Sequence, residues 1–215
     1  MAMNTTTSAV PLTRVERKRL EARTRIVDAA TALFRARGVD AVTIRDITTA
    51  ADVGHGTFYL HFKSKPEVLL PIMVAEAAEL DARIQQHLPP PRDPAEVLAT
   101  SSRYIGSVVV RDELWRWFLE HSGLPSESLR QAFGEFTRRD FSEGLASGRF
   151  TAADPVTTAT FVFGGYVSVL MAALDSEAPE AMIDHAAETM LRVLGVDAEE
   201  AREIARRPLP SNSLA

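Results

Sequence analysis

The chain is predicted to be all-α, and three observations predict it. Apolar residues return every three or four positions through most of the 215 residues. Strand-like alternation is scarce, and the Asn-Gly and Asp-Gly dipeptides that mark hairpins are absent. The breaks between periodic stretches are short, as packed antiparallel helices require.

Over Arg14–Arg37, the residues Ile26, Ala30, Leu33, Phe34 and Arg37 recur at helical spacing, and Gly38 can take the left-handed conformation that closes a helix. Thr43 caps a short second helix bearing Ile44 and Ile47, with Asp46 at its third position as a variant capping box. The turn "AADVG" leads to a third short helix over 54–61, and "KSK" leads to a long fourth helix over 66–87. The stretch "LPPPRDP" (88–94) is the clearest breaker. Beyond it, helical patterns cover 95–110, 112–121, 126–147, 155–174, 179–194 and 197–207, with stops at Gly123-Leu124-Pro125, Gly148, Asp154-Pro155, Pro179 and Gly195. The expected organisation is a mobile tail (1–13), a small helical domain (14–65), a larger one (66–207) and a second tail (208–215).

One stretch is open to a competing reading. Residues 155–174, "PVTTATFVFGGYVSVLMAAL", carry no charge over twenty positions, which meets the length test for a membrane span. Three early threonines, the Gly164-Gly165 pair and flanking Asp154 and Asp175 in place of Lys/Arg anchors argue instead for a helix buried between subunits. No membrane is expected.

The formal net charge of −5 conceals an asymmetry. Residues 1–65 carry 11 Lys+Arg against 6 Asp+Glu, a net +5, which leaves −10 on the remainder. A basic head on an acidic body meets a polyanion with the head alone. Cysteine is absent, which removes disulfides, thiol nucleophiles and thiolate metal sites and fits a reducing, cytoplasmic setting. The five histidines are scattered without metal-ligand spacing, and no phosphate-binding loop, dinucleotide fingerprint or nucleophile elbow occurs. Carboxylates abound, yet nothing in the sequence sets two of them apart as an acid/base pair. Neither a cofactor nor an enzymatic activity is expected.

The chemistry is concentrated in "TIRDITTAADVGHGTFYLHFKSK" (43–65). Two short helices joined by a tight turn, behind a longer supporting helix, form a helix-turn-helix whose second helix can enter a DNA major groove. Gly56 removes a side chain where a backbone approaches the duplex. His55 and Thr57 stand near a helix N-terminus, within reach of base edges and phosphate. Tyr59 and His61 can donate to phosphate oxygens, and Lys63 and Lys65 add cations. Thr43, Arg45 and Gly54 complete the candidate contact set. Ile44, Ile47, Val53, Phe58 and Phe62 are the expected core. The stretch "RVERKRLEARTR" (14–25) is either a solvated helix face or a grip on the DNA backbone.

These residues carry a specific resemblance. Thr43, Gly56-Thr57-Phe58-Tyr59, His61-Phe62, Lys65 and Leu69-Leu70 match in type and spacing the DNA-binding domain of the TetR family of bacterial transcription regulators, over about fifty residues. Two positions depart from that pattern: Asp52 stands where the turn usually has glycine, and Gly54 replaces the usual hydroxyl cap of the reading helix.

The resemblance implies that the remaining helices form a ligand-binding and dimerisation domain. Tyr104, Trp115, Trp117, Phe118, Phe133, Phe136 and Phe141 are the candidate lining of an apolar pocket, each also open to a plain core role. Trp115 and Trp117 are two apart and cannot share one helix face. The last two long helices resemble the family's dimer-forming pair, with Phe161, Gly164, Gly165, Tyr166 and Leu170 on the first and Met182 and Met190 on the second. The implied partners are a near-palindromic double-stranded DNA operator, an apolar or amphipathic small-molecule effector and a second copy of the chain. An all-α ligand-binding protein or enzyme that never meets DNA is the alternative.

Overall fold

The computed structural model describes residues 13–88, 92–121 and 125–209. All regular elements among them are helices, and the chain divides into two compact units, Met1–Val68 and Leu69–Ala215.

In the first unit, α1 (Arg14–Arg37) begins at a reciprocal capping box: Thr13 Oγ1 accepts from the Glu16 amide, and Glu16 accepts from the Thr13 amide at 2.8 Å. Thr13 therefore belongs to the helix cap and not to a tail. The helix ends at Gly38 (φ 75°), whose amide donates to Phe34 O. The stripe Ala22, Ile26, Ala30 and Phe34, four residues apart, is the face that α1 buries. α2 (Ile44–Ala50) starts from the expected Thr43–Asp46 box. α3 (His55–Tyr59) is shorter than its sequence pattern, with Leu60 already its C-cap. Between them Asp52 adopts φ 50°, so the aspartate does take the left-handed turn position that glycine would fill. Ile26, Phe34, Ile47 and Phe58 are fully buried, and Val39, Val42 and Phe62 close the core around them.

α4 (Lys65–His87) crosses the boundary between the units and carries Pro71 in its interior. The second unit continues with α5 (Pro94–Arg111), α6 (Glu113–His121), α7 (Pro125–Ala146), α8 (Pro155–Ala173), α9 (Pro179–Val193) and α10 (Ala198–Arg206). Four of these helices open on proline, whose missing amide is an orphan at that position anyway. The predicted breakers at 89–91 and 122–124 lie outside the described residues, as do 1–12 and 210–215. α5 is the central helix, packed by α6, α7, α8, α9 and α10. Its Gly106 permits that closeness: a Cβ there would stand 2.7 Å from the Ile183 side chain of α9 and 2.9 Å from the Tyr166 hydroxyl of α8.

Candidate nucleic-acid and effector sites

α3 presents a largely open face. His55, Gly56 and Tyr59 are exposed, Thr57 is half-buried, and Phe58 points the opposite way into the core. A Cβ on Gly56 would meet nothing within 4 Å, so no internal packing calls for glycine there. Tyr59 makes edge-on ring contacts with Phe58 (5.4 Å) and His55 (5.3 Å) and is still 51% exposed. Gly54 caps α3 without a side-chain hydrogen bond, and the Thr57 amide donates instead to Gly54 O at 2.8 Å. Arg45 and Lys63 are exposed as expected, and the Lys63 amide donates to Glu67.

Two of the predicted contacts, Thr43 and Lys65, have other occupations, and a third, His61, has a shifted charge state. The Thr43 hydroxyl accepts from the Asp46 amide and donates to the Asp46 carboxylate at 2.7 Å, so it is engaged in starting α2. Lys65 folds inward: its ammonium donates to Val39 O at 2.8 Å and Val42 O at 3.2 Å, two carbonyls of the α1–α2 connection. The expectation of a phosphate-facing Lys65 is corrected to a staple of that connection. His61 is half-buried, and burial, then the neighbouring Arg19 and Arg23, hold its pKa below the usual histidine value. It is neutral at pH 7 and can donate one hydrogen bond without acting as a cation.

In the second unit the predicted aromatics separate into groups. Trp115 is fully buried, stacked on Phe133 (5.2 Å) and edge-on to Phe118 (6.2 Å). Trp117 turns away, as its spacing requires, and stacks on His121 at 4.2 Å. Phe136 is half-buried under the Arg139 guanidinium, and Phe141 is buried. Tyr104 is also buried, and that burial raises its pKa against the opposing pull of Arg83.

Sequence reasoning missed the polar groups within this unit. Arg139 of α7 donates through both terminal nitrogens to Asp81 of α4, at 2.9 and 2.8 Å, and through Nε to Asp140 at 2.8 Å. Asp140 is only 5% exposed, and its burial raises its pKa despite Arg139. Two carboxylates around one guanidinium leave the cluster rich in acceptors. Among the described residues, Ser101 Oγ is buried with no hydrogen-bond partner, on the α5 face it shares with Tyr104 three residues on. The Arg139-Asp140 dipeptide inside an otherwise amphipathic helix was a faint signal for the cluster. Nothing in the sequence pointed to Ser101.

α8 is covered on one side. Val162, Tyr166, Leu170 and Ala173 form its buried stripe, and the Tyr166 hydroxyl donates to Ser102 O inside the same protomer. Tyr166, Leu170 and Met190, expected at a subunit interface, instead belong to the protomer core, and Met182 is half-buried. Phe161 (66% exposed) and Gly165 face outward, and Gly164 is half-buried with open space beyond its Cα. Beside Phe161 lies an open hollow of about 630 Å³, bordered by Thr157, Thr158 and Val193. Only 28% of the most apolar window of α8 is buried, although its mean hydropathy of 1.6 and its length would suffice to cross a membrane.

Residues 26–72 match the family described as bacterial regulatory proteins, tetR family, and residues 93–207 match the tetracyclin repressor-like C-terminal domain. The chain belongs to the TetR family. Among solved structures it is similar to RolR in complex with resorcinol, at 36% identity over 91% of this chain and 98% of that one, with a TM-score of 0.80. RolR without ligand gives a TM-score of 0.75 at the same 36% identity, covering 87% of this chain and 98% of that one. The transcriptional repressor KstR of Rhodococcus jostii is 36% identical over 94 residues, 44% of this chain, and the chain thus spans 43% of that relative's length. KstR2 of Mycolicibacterium smegmatis is 29% identical over 141 residues, 60% of this chain and 67% of that protein.

Family membership makes the chain a DNA-binding regulator of transcription and not an enzyme. It also gives Asp52 and Gly54 a meaning. The TetR turn survives a non-glycine residue because aspartate tolerates positive φ, and the reading helix survives without a hydroxyl cap because glycine is an acceptable N-cap.

Proposed function

We propose that this TetR-family protein is a cytoplasmic repressor that binds a near-palindromic operator as a homodimer and is released by a small hydroxylated aromatic molecule. The observation that carries the DNA half is the α3 face: His55, Gly56 and Tyr59 project from a buried Phe58 anchor on a basic head. Two such helices, one from each protomer, would read grooves about one helical turn apart, roughly 34–36 Å. The uncovered face of α8, with Phe161 and Gly165, is the surface a second copy would cover.

The effector half rests on the chemistry inside the second unit. Trp115, Phe118 and Phe133 form a buried aromatic cluster, apolar surface of the kind a flat ring would pack against. The Asp81–Arg139–Asp140 cluster and the unpaired Ser101 hydroxyl supply acceptors for a ligand that brings O–H donors. A carboxylate ligand would instead meet two carboxylates and one guanidinium. The resorcinol bound by RolR is a molecule of the favoured kind, an apolar ring with two hydroxyls.

Linkage requires an effector and the operator to weaken each other's binding by the same factor. The test titrates the dimer with resorcinol and with its dimethyl ether, following Trp fluorescence and operator affinity. Resorcinol is expected to bind and to weaken operator binding, the ether to do neither, and Asp140→Asn to lose at least tenfold in resorcinol affinity. Equal behaviour of the phenol and its ether would refute the donor-selective site. DNA affinity unmoved by every ligand that binds would refute release.

A further inference from the structure

α1 begins well before its own unit covers it. Every residue from Thr13 to Glu21 is exposed, Val15 to 77%, and the first buried position is Ala22. More than two turns of helix therefore stand in solvent, yet their start is defined by the Thr13–Glu16 capping box. A helix end gaining nothing from burial is held by local bonds alone, and its composition is then free to serve something outside the chain.

That composition is cationic. Residues 14–25 carry six basic and two acidic side chains, and one of the acids, Glu16, is committed to the cap. Arg14, Lys18 and Arg25 recur on one helical face. At the far end of this stripe Arg25 donates to Asp52 O in the turn before α3. Arg23 lies over the Phe62 ring at 5.1 Å, and Arg19 and Arg23 both act on His61, just past the end of α3. α1 thus passes the reading helix along residues 19–25, and residues 14–18 continue the same basic surface beyond it.

We propose that the exposed start of α1, through Arg14, Arg17 and Lys18, is a second DNA-contacting element that grips duplex phosphates flanking the groove occupied by α3. The inference rests on the DNA-binding reading above. Continuity with the reading face and the sign of the charge select the sugar-phosphate backbone as its occupant. The contact carries no sequence preference, because the groups are exposed point charges or forks on a solvated helix and meet no base edge.

The experiment uses the full-length protein and the triple variant Arg14→Gln/Arg17→Gln/Lys18→Gln, titrated against operator and unrelated duplexes between 50 and 200 mM salt. Losing a single phosphate contact per protomer, the minimum the proposal requires of the three cations, is two per dimer and flattens the log–log salt slope by about 1.8. Over this fourfold salt range the wild type is then expected to lose about 12-fold more affinity than the variant. The loss at low salt should be equal on both duplexes, the melting temperature unchanged, and the charge-conserving Arg14→Lys/Arg17→Lys/Lys18→Arg variant like wild type. Identical slopes for wild type and the glutamine variant would overturn the proposal and hand this helix end to a protein partner or to solvent. An equal loss in the charge-conserving variant would overturn it as well. A wild-type protein with no salt-dependent DNA affinity would instead remove the underlying DNA-binding reading.

Discussion

Lys65→Met separates two physical roles that the sequence could not. The Lys65 ammonium donates to Val39 O at 2.8 Å and Val42 O at 3.2 Å, in the segment between the Gly38 stop of α1 and the Thr43 cap of α2. Hydrogen bonds to a charged group are worth about 1.5–3 kcal/mol each when well shielded. Lys65 is half-buried, so water replaces part of what the ammonium supplied, and about 1–3 kcal/mol is the reasonable loss for the pair. Methionine retains most of the apolar stem and removes only the donors. Both tryptophans, Trp115 and Trp117, lie in the second unit, so fluorescence melting does not watch the head. Amide hydrogen exchange over residues 38–47 does. An opening free energy lowered by about 1–3 kcal/mol speeds exchange there roughly 5- to 150-fold, with α5 and α9 amides unaffected. Unchanged exchange in 38–47, together with a salt slope for DNA binding flattened by about 1.8, would refute the staple and restore Lys65 to phosphate contact.

Phe58→Ala removes a fully buried ring from the small head core and should cost about 3–5 kcal/mol, abolishing DNA binding while the Trp-reported melt of the second unit persists. Tyr166→Phe and Phe161→Glu should part company in sedimentation. The first deletes a hydroxyl that serves Ser102 O inside one protomer and should lower thermal stability without changing assembly, whereas the second puts a charge on the uncovered face of α8 and should yield monomers.

The head was legible because a DNA-reading helix constrains residue type and spacing together over a short stretch. Thr43 with Asp46, Gly38 with its positive φ and Phe58 with its exposed neighbours all act within a few positions of one another. Lys65 escaped for the opposite reason. Its partners lie 23 and 26 residues upstream, and a lysine turned inward reads the same as one turned out. The second unit was legible only as a set of aromatics. What distinguishes it chemically is the convergence of Asp81 and Arg139, 58 positions apart, on a carboxylate buried beside them. Periodicity reports which face of a helix is apolar, but not which charged residue on a neighbouring helix meets it.

α8 shows how far a single chain's hydrophobicity can be read. A helix apolar all round needs two covers, and the sequence cannot say which residues go to which. The structure divides them by helical phase: Val162, Tyr166, Leu170 and Ala173 inward, Phe161, Gly165, Ser168 and Ala172 outward. Large side chains are concentrated on the inward stripe, where Tyr166 fills the space left by Gly106. The outward stripe is small apart from Phe161, and its hydroxyls are satisfied within the helix, Thr160 to Val156 O and Ser168 to Gly164 O. Such a face asks for no polar partner and lets another backbone come close, with Phe161 as the one large knob and the adjacent hollow as a receptacle. An isologous interface places the same patch of both copies face to face, so Phe161 and the hollow it borders would each meet their own counterpart. A bilayer would demand neither the hollow nor the match. The apolar, small-residue face of α8 is the surface that the proposed homodimer would cover, and the assay of Phe161→Glu decides whether it does.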